Sequence, residues 1–148
     1  MKIYVASSWR NEQQQEVVKV LRNAGHEVYD FKNPSDGVAG FSWSEIDPNW
    51  EQWTNEEYLK ALSHPNAQHG FNRDYDAMID ADACVLVMPC GRSAHSEAGW
   101  MQGQDKPVVV LIEKKAEPEL MYKLFDAVVD NLPDVLKALD SIKIEYFA

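Results

Sequence analysis

Six consecutive apolar residues, ACVLVM at 83–88, constrain this chain more than any other feature. A run of that length is apolar at every position and too short for a buried helix. It reads as a strand covered on both faces, the environment of a central strand in a parallel sheet. A parallel neighbour requires a crossover of a dozen or more residues, usually a helix, and the remaining sequence has that rhythm. Residues 2–6 read as a buried strand. Residues 11–24 read as a helix with Val17, Val18, Leu21 and Ala24 on one face, ended by Gly25, and residues 27–31 as another strand. Helical segments at about 55–63 and 66–80 precede the 83–88 strand, and Asp80 and Asp82 serve the turn into it. A helix at about 94–104, a strand at 107–112, a weaker strand near 125–129 and a helix near 133–141 complete the series.

Alternation of this kind predicts an α/β fold with one domain over residues 1–148. The expected form is a flavodoxin/Rossmann-like three-layer sandwich around a five-stranded parallel sheet. The 148 residues carry 14 basic and 24 acidic side chains, a net charge of -10. That balance argues against a nucleic acid polymer as partner, because binding to its backbone is dominated by Lys and Arg. No run approaches the roughly 18 apolar residues of a membrane helix, and the apolar stretch after Lys2 is too short for the core of a secretory signal. The expectation is a cytoplasmic protein that starts at Met1 and has no membrane partner. Cys84 and Cys90 show no disulfide framework, and His26, His64, His69 and His95 show no metal-ligand spacing, so neither metal nor cofactor is expected.

In open parallel sheets ligands bind outside the carboxyl ends of the strands where strand order reverses. The segments to read are therefore the loops after the first and third strands. The first, ASSWRN, places Ser7, Ser8, Arg10 and Asn11 at a helix start, where free N–H groups favour an anion; a capping serine and a surface arginine explain it equally well. It has neither GxGxxG nor GxxxxGK[ST]. The second, PCGRSAHSEAGW, places Arg92, Ser93, His95 and Ser96 around Glu97. Glu97 either complements the helix dipole or faces the cleft as nucleophile or base. Ala98 and Gly99 favour the second, since small residues let the helix approach the sheet; His95 reads as a lining residue. Asp74 lies one helical turn from both Phe71 and Met78, so its face can look towards the cleft; the alternative is a surface ion pair with Arg73. Between Lys32 and Lys60 the chain has six acids, no base, and Phe41, Trp43, Trp50, Trp53 and Tyr58. These rings, Trp43 among them, either stack on a planar heterocycle or tie the loop down as a satellite cluster.

Taken in order, KIYVASSWRN, FNRDYDAMIDADACVLVMP, SAHSEAGW and GQDKPVVVL resemble the nucleoside 2-deoxyribosyltransferase superfamily, including its nucleoside 5'-monophosphate N-glycosidase branch. The similarity covers residues 2–112, and its most specific element is the E-x-G helix of Glu97, Ala98 and Gly99 followed by the KP-led strand. The resemblance implies that Glu97 is the nucleophile at the anomeric carbon, that Tyr4 orients it and that Asp74 meets the nucleobase. It further implies a 5'-phosphate contact from Ser8-Trp9-Arg10, to which Ser93 or Ser96 adds a phosphate or sugar contact. Protonation of the departing base by Asp74 requires a raised pKa, expected from burial among Phe71, Met78 and the aromatic loop.

Six residues before Glu97, where the transferases carry an aspartate, stands Gly91, and Ser93-Ala94 replaces the usual Gly-Thr. With Ser8-x-Arg10 present and that aspartate absent, hydrolysis is preferred to transfer. The expected partner is a small-molecule nucleoside or nucleotide. The expected assembly is a homodimer or higher homo-oligomer, with the apolar tail at 144–148 near a neighbour's cleft. A non-catalytic nucleotide sensor and an NAD-type dinucleotide glycohydrolase are the alternatives.

Overall fold

The computed structural model describes residues 1–34, 37 and 40–147. It contains five strands, β1 (Lys2–Ala6), β2 (Glu27–Tyr29), β3 (Ala83–Val87), β4 (Val108–Leu111) and β5 (Ala127–Val129). All neighbouring strands are parallel, in the order β2-β1-β3-β4-β5. This is the expected flavodoxin-like order, and it reverses between β1 and β3. The described residues group into two compact units, Met1–Asp30 with Asp80–Ala148, and Phe31–Ile79.

The first unit holds the sheet. Strand residues alternate between its two faces. Ile3, Val5, Ala83, Val85, Val87, Val109 and Leu111 face helices α1 (Gln14–Asn23) and α5 (Leu132–Phe147), packing on Val17, Val18, Leu21, Val135, Leu139 and Ile142. The intervening residues, Tyr4, Ala6, Cys84, Leu86, Val108 and Val110, are equally buried. They make up the other face, on which helix α4 (Arg92–Gly103) packs through β1, β3 and β4. The buried residues of α4, Ala94, Ala98 and Met101, recur at helical spacing. Two of the three residues in that stripe are alanines, Ala98 among them, whereas Gly99 is exposed and a Cβ there would meet nothing within 4 Å, so only the first of the two small residues at 98–99 faces the sheet.

Several boundaries differ from the sequence reading, each for a local reason. Helix α1 begins at Gln14 instead of residue 11, because Asn11 is buried and its side chain serves the loop, accepting from the Gln13 N–H and donating to the Val87 and Pro89 carbonyls. Helix α5 continues past residue 141 to Phe147. Ile142 extends its buried stripe, and the Tyr146 hydroxyl donates to Asp126 over 3.0 Å. Asp82 does more than turn the chain: its carboxylate accepts the Lys2 N–H at 2.8 Å while its own N–H donates to the Lys2 carbonyl. It thereby extends the β1–β3 pairing by one rung.

The second unit holds short 3-10 turns at Trp43–Glu45 and Trp50–Gln52, helix α2 (Asn55–Ala61) and helix α3 (Pro65–Asp80). Ser42 with Glu45, and Thr54 with Glu57, form capping boxes. Trp43 packs edge-on against Phe41, Trp53 and Tyr58 at ring separations of 4.8 to 5.8 Å, and the Trp53 indole N–H donates to Asp47. These four rings thus pack on one another within the second unit. Gly70 on α3 belongs to the same cluster, since a Cβ there would stand 2.7 Å from the Phe41 Cβ.

Candidate active site

Tyr4 occupies the middle of a row that crosses the sheet. It is in register with Tyr29 on β2 and Cys84 on β3, and Cys84 with Val108 on β4. The row lies on the α4 face, and the Tyr4 hydroxyl donates a hydrogen bond to Glu97 Oε2. Tyr4 is buried while Glu97 is half-buried, so one carboxylate oxygen is held from the sheet side. A charge-assisted bond of this kind fixes the carboxylate's orientation. The charge of Glu97 reaches two thiols. Burial first, and Glu97 second, push Cys84 far above the usual thiol range and Cys90 up to about 12. Both cysteines are free thiols.

The dipole explanation for Glu97 weakens in the structure. Helix α4 starts at Arg92, two residues before the position expected, and has no acidic residue in its first turn. Glu97 therefore sits in the second turn, where the influence of the helix terminus has largely faded. The N-cap is Gly91, which supplies no side-chain cap.

The loops after β1 and β3 are stitched together. Ser7 donates through its hydroxyl to the Val87 carbonyl at 2.9 Å, and Asn11 bridges the Val87 and Pro89 carbonyls at 3.3 and 3.2 Å. Ser8 accepts the Arg10 N–H on its hydroxyl and the Asn11 N–H on its carbonyl, a local turn that leaves the Arg10 side chain exposed. Across the loop Arg92 and Ser93 are exposed, and Ser96 donates back to the Arg92 carbonyl at 2.8 Å. Ser7 and Ser96 thus have structural bonds of their own, whereas Arg10, Arg92 and Ser93 present their side chains to solvent.

His95 lines the loop after β3, but it is clamped. Nδ1 lies 2.8 Å from the Gly91 carbonyl and Nε2 2.9 Å from the Tyr122 hydroxyl, with the two rings stacked. A carbonyl only accepts, so Nδ1 carries the proton. This contact fastens the start of α4 to the 3-10 turn Leu120–Leu124.

In the second unit Asp74 is half-buried on α3. Phe71, expected to help bury it, is 58% exposed and stacks instead on Tyr75, while Met78 is buried. The enclosure anticipated for Asp74 is therefore missing its Phe71 wall. Among the described residues no group of three His, Cys, Asp or Glu side chains is placed to hold a metal ion, and no helix is long and apolar enough to cross a membrane.

Sequence reasoning missed Tyr29, which stacks on the Tyr4 ring, and a polar cluster of Asp30, Gln14 and Gln15 at the end of β2, on the opposite face of the strand. A signal was present for one of them: Gln14 falls three residues before Val17 and seven before Leu21, on the buried stripe of α1, where a polar residue needs a partner.

No family model matches the chain, and no curated protein matches it. Solved structures do. A 2-deoxyribosyltransferase from Bacillus psychrosaccharolyticus, described as a biocatalyst for nucleoside synthesis, is 23% identical over 91% of this chain and 90% of its own, with a TM-score of 0.52. A conserved protein from Enterococcus faecalis V583 is 17% identical over 95% of this chain and 98% of its own, with a TM-score of 0.58. The CMP N-glycosidase of Clostridium botulinum is 17% identical over 95% of this chain and 99% of its own, with a TM-score of 0.51. The resemblance read from residues 2–112 is thus met, at the level of the fold, by proteins named for both of its activities.

Proposed function

We propose that this chain cleaves or transfers the N-glycosidic bond of a nucleoside or nucleoside 5'-monophosphate, with Glu97 as nucleophile. The observation that carries the reading is the Tyr4–Glu97 pair, a carboxylate oriented from the sheet side at the switch between β1 and β3. Breaking the C–N bond builds positive charge at the anomeric carbon. A fixed carboxylate stabilises that charge or captures the carbon as an ester while the base departs with the bonding pair. Water then releases the sugar in hydrolysis, and an acceptor base does so in transfer. Asp74 is assigned protonation of the departing base, and Tyr4 orientation of Glu97. Ser8, Arg10, Arg92 and Ser93 are assigned the anionic end of a nucleotide, and Trp43 the nucleobase. Hydrolysis is preferred because Ser8-x-Arg10 is present and the extra aspartate is replaced by Gly91.

The test is incubation with a panel of nucleosides and their 5'-monophosphates, followed by chromatography for free base. We expect release from at least one member. Glu97→Gln should lower turnover roughly a thousandfold or more while ligand affinity stays within about tenfold, because the charge matters most in the transition state. Equal turnover by Glu97→Gln and the parent removes Glu97 from the chemistry. Binding without base release by the parent favours the sensor.

A further inference from the structure

Strand β2 has three residues and lies at the edge of the sheet, paired only with β1. Its last rung joins Tyr29 to Tyr4, whose rings stack with centroids 5.3 Å apart and planes 15° from parallel. A short edge strand held on one side frays at its end unless something fixes the exit. Here the next residue does so. Asp30 is 3% exposed and lies on the opposite face of the strand, towards α1. Its Oδ1 accepts from Gln14 Nε2 and its Oδ2 from Gln15 Nε2, both at 2.9 Å. Gln15 Nε2 also donates to Gln14 Oε1 at 2.6 Å, and Gln14 is completely buried. Three side chains therefore close a ring, with the carboxylate between two carboxamides at the end of β2. A buried carboxylate is costly without such donors, and a satisfied buried network imposes one geometry on what it joins.

We propose that Tyr29 is a positioning residue for the Tyr4–Glu97 pair, and that the Asp30–Gln14–Gln15 clasp holds it in place. Tyr29 touches neither substrate nor reacting atoms in this scheme. Its ring packs on one face of Tyr4, so the phenol cannot tilt away from the carboxylate above it. Offset stacking of two rings adds to their burial, enough to favour one orientation of Tyr4 by roughly twofold to tenfold. The inference rests on the proposed role of Glu97 only for its kinetic consequence, since the geometry it concerns is present without substrate.

The experiment has a spectroscopic and a kinetic arm, both on the full chain. In proton NMR the Tyr4 hydroxyl proton, bonded to a carboxylate and shielded from water, should give a downfield signal, assigned by its loss in Tyr4→Phe. We expect Tyr29→Leu to abolish or broaden it, Tyr29→Phe to retain it, and Asp30→Asn, which sets a donor against a donor, to broaden it. In the kinetic arm, with any nucleotide the parent cleaves, Tyr29→Leu should lower kcat roughly twofold to tenfold with KM within twofold, and Tyr29→Phe should restore kcat. A folded Tyr29→Leu that keeps both the sharp signal and the parental kcat overturns the proposal, as does absence of the signal from the parent. If Tyr29→Leu does not fold, Asp30→Asn decides: an unchanged signal refutes the clasp. If the parent cleaves no nucleotide, the reading of function fails and the hydroxyl signal still tests the positioning.

Discussion

Cys90 reports on the charge of Glu97 without needing a substrate. Its thiol is pushed up to about 12, chiefly by burial and secondarily by the nearby carboxylate. Only the thiolate is alkylated. At pH 8 Cys90 should therefore react with iodoacetamide roughly a thousandfold more slowly than an exposed thiol, whose pKa is about 8.5. Cys84, raised further by its complete burial, should be slower still. Glu97→Gln removes one of the two causes at Cys90, so its alkylation should accelerate, by less than burial alone withholds. Peptide mass spectrometry over a time course reads both rates. Rapid alkylation of Cys90 in the folded parent would contradict its burial, and no acceleration in Glu97→Gln would show that the carboxylate's charge is not felt there. The readout also guards the turnover experiment, because a Glu97→Gln variant that keeps Cys84 protected has kept its core.

At the scale of elements, the start of α4 is an open design point. Gly91 is the N-cap, with extended φ and ψ of -98° and -154°, and a Cβ added there meets nothing within 4 Å. An aspartate fits that backbone, accepts from the first-turn N–H groups and complements the dipole. Relative to glycine, capping adds a few tenths of a kcal/mol and the dipole about 0.3–1. Gly91→Asp should raise Tm by about 2 °C in a domain of this size, and by occupying the same N–H groups it should weaken binding of a nucleoside 5'-monophosphate more than of the nucleoside. Calorimetry and titration with the two ligands check the two halves; unchanged phosphate discrimination would remove this helix start from the anion site. Elements of this kind were legible in the sequence where side-chain pattern alone decides them. The buried runs gave β1, β3 and β4, and the order of the alternation gave the sheet topology. Boundaries were not legible where a tertiary bond decides them. Asn11 delays α1 by bonding to carbonyls some 76 residues away in sequence, and Tyr146 carries α5 onward through Asp126. At the site, the spacing marked Glu97 and the loops, but the partners of Tyr4 come from a strand and a helix whose alignment only the fold creates.

For the molecule as a whole, the proposed self-association sets two long-range effects against each other. Helix α5 ends on apolar residues that the first unit does not cover: Ile144 is 72% exposed and Phe147 49%. Single exposed apolar residues are ordinary, but here they close a helix together with Tyr146, which is itself half exposed. Burying such a tail against a second copy gains roughly 25 cal/mol per Å² of apolar surface. Each copy carries a net charge of -10, and two like-charged bodies repel over about 10 Å at 0.1 M salt and about 3 Å at 1 M. Apolar attraction is strengthened slightly by salt and the repulsion is screened, so association through this tail should tighten as salt rises. An assembly held by interchain ion pairs would loosen instead. We therefore expect light scattering at micromolar concentration to give a mass above that of one chain, increasing or holding between 0.05 and about 0.5 M sodium chloride. The double substitution Ile144→Ser with Phe147→Ser should return the mass to that of one chain without lowering Tm by more than a few degrees, since neither side chain belongs to the core. A parent that scatters as one chain throughout that range would remove self-association from the proposal. A mass that falls as salt rises would place the contact on charged surface, away from this helix end.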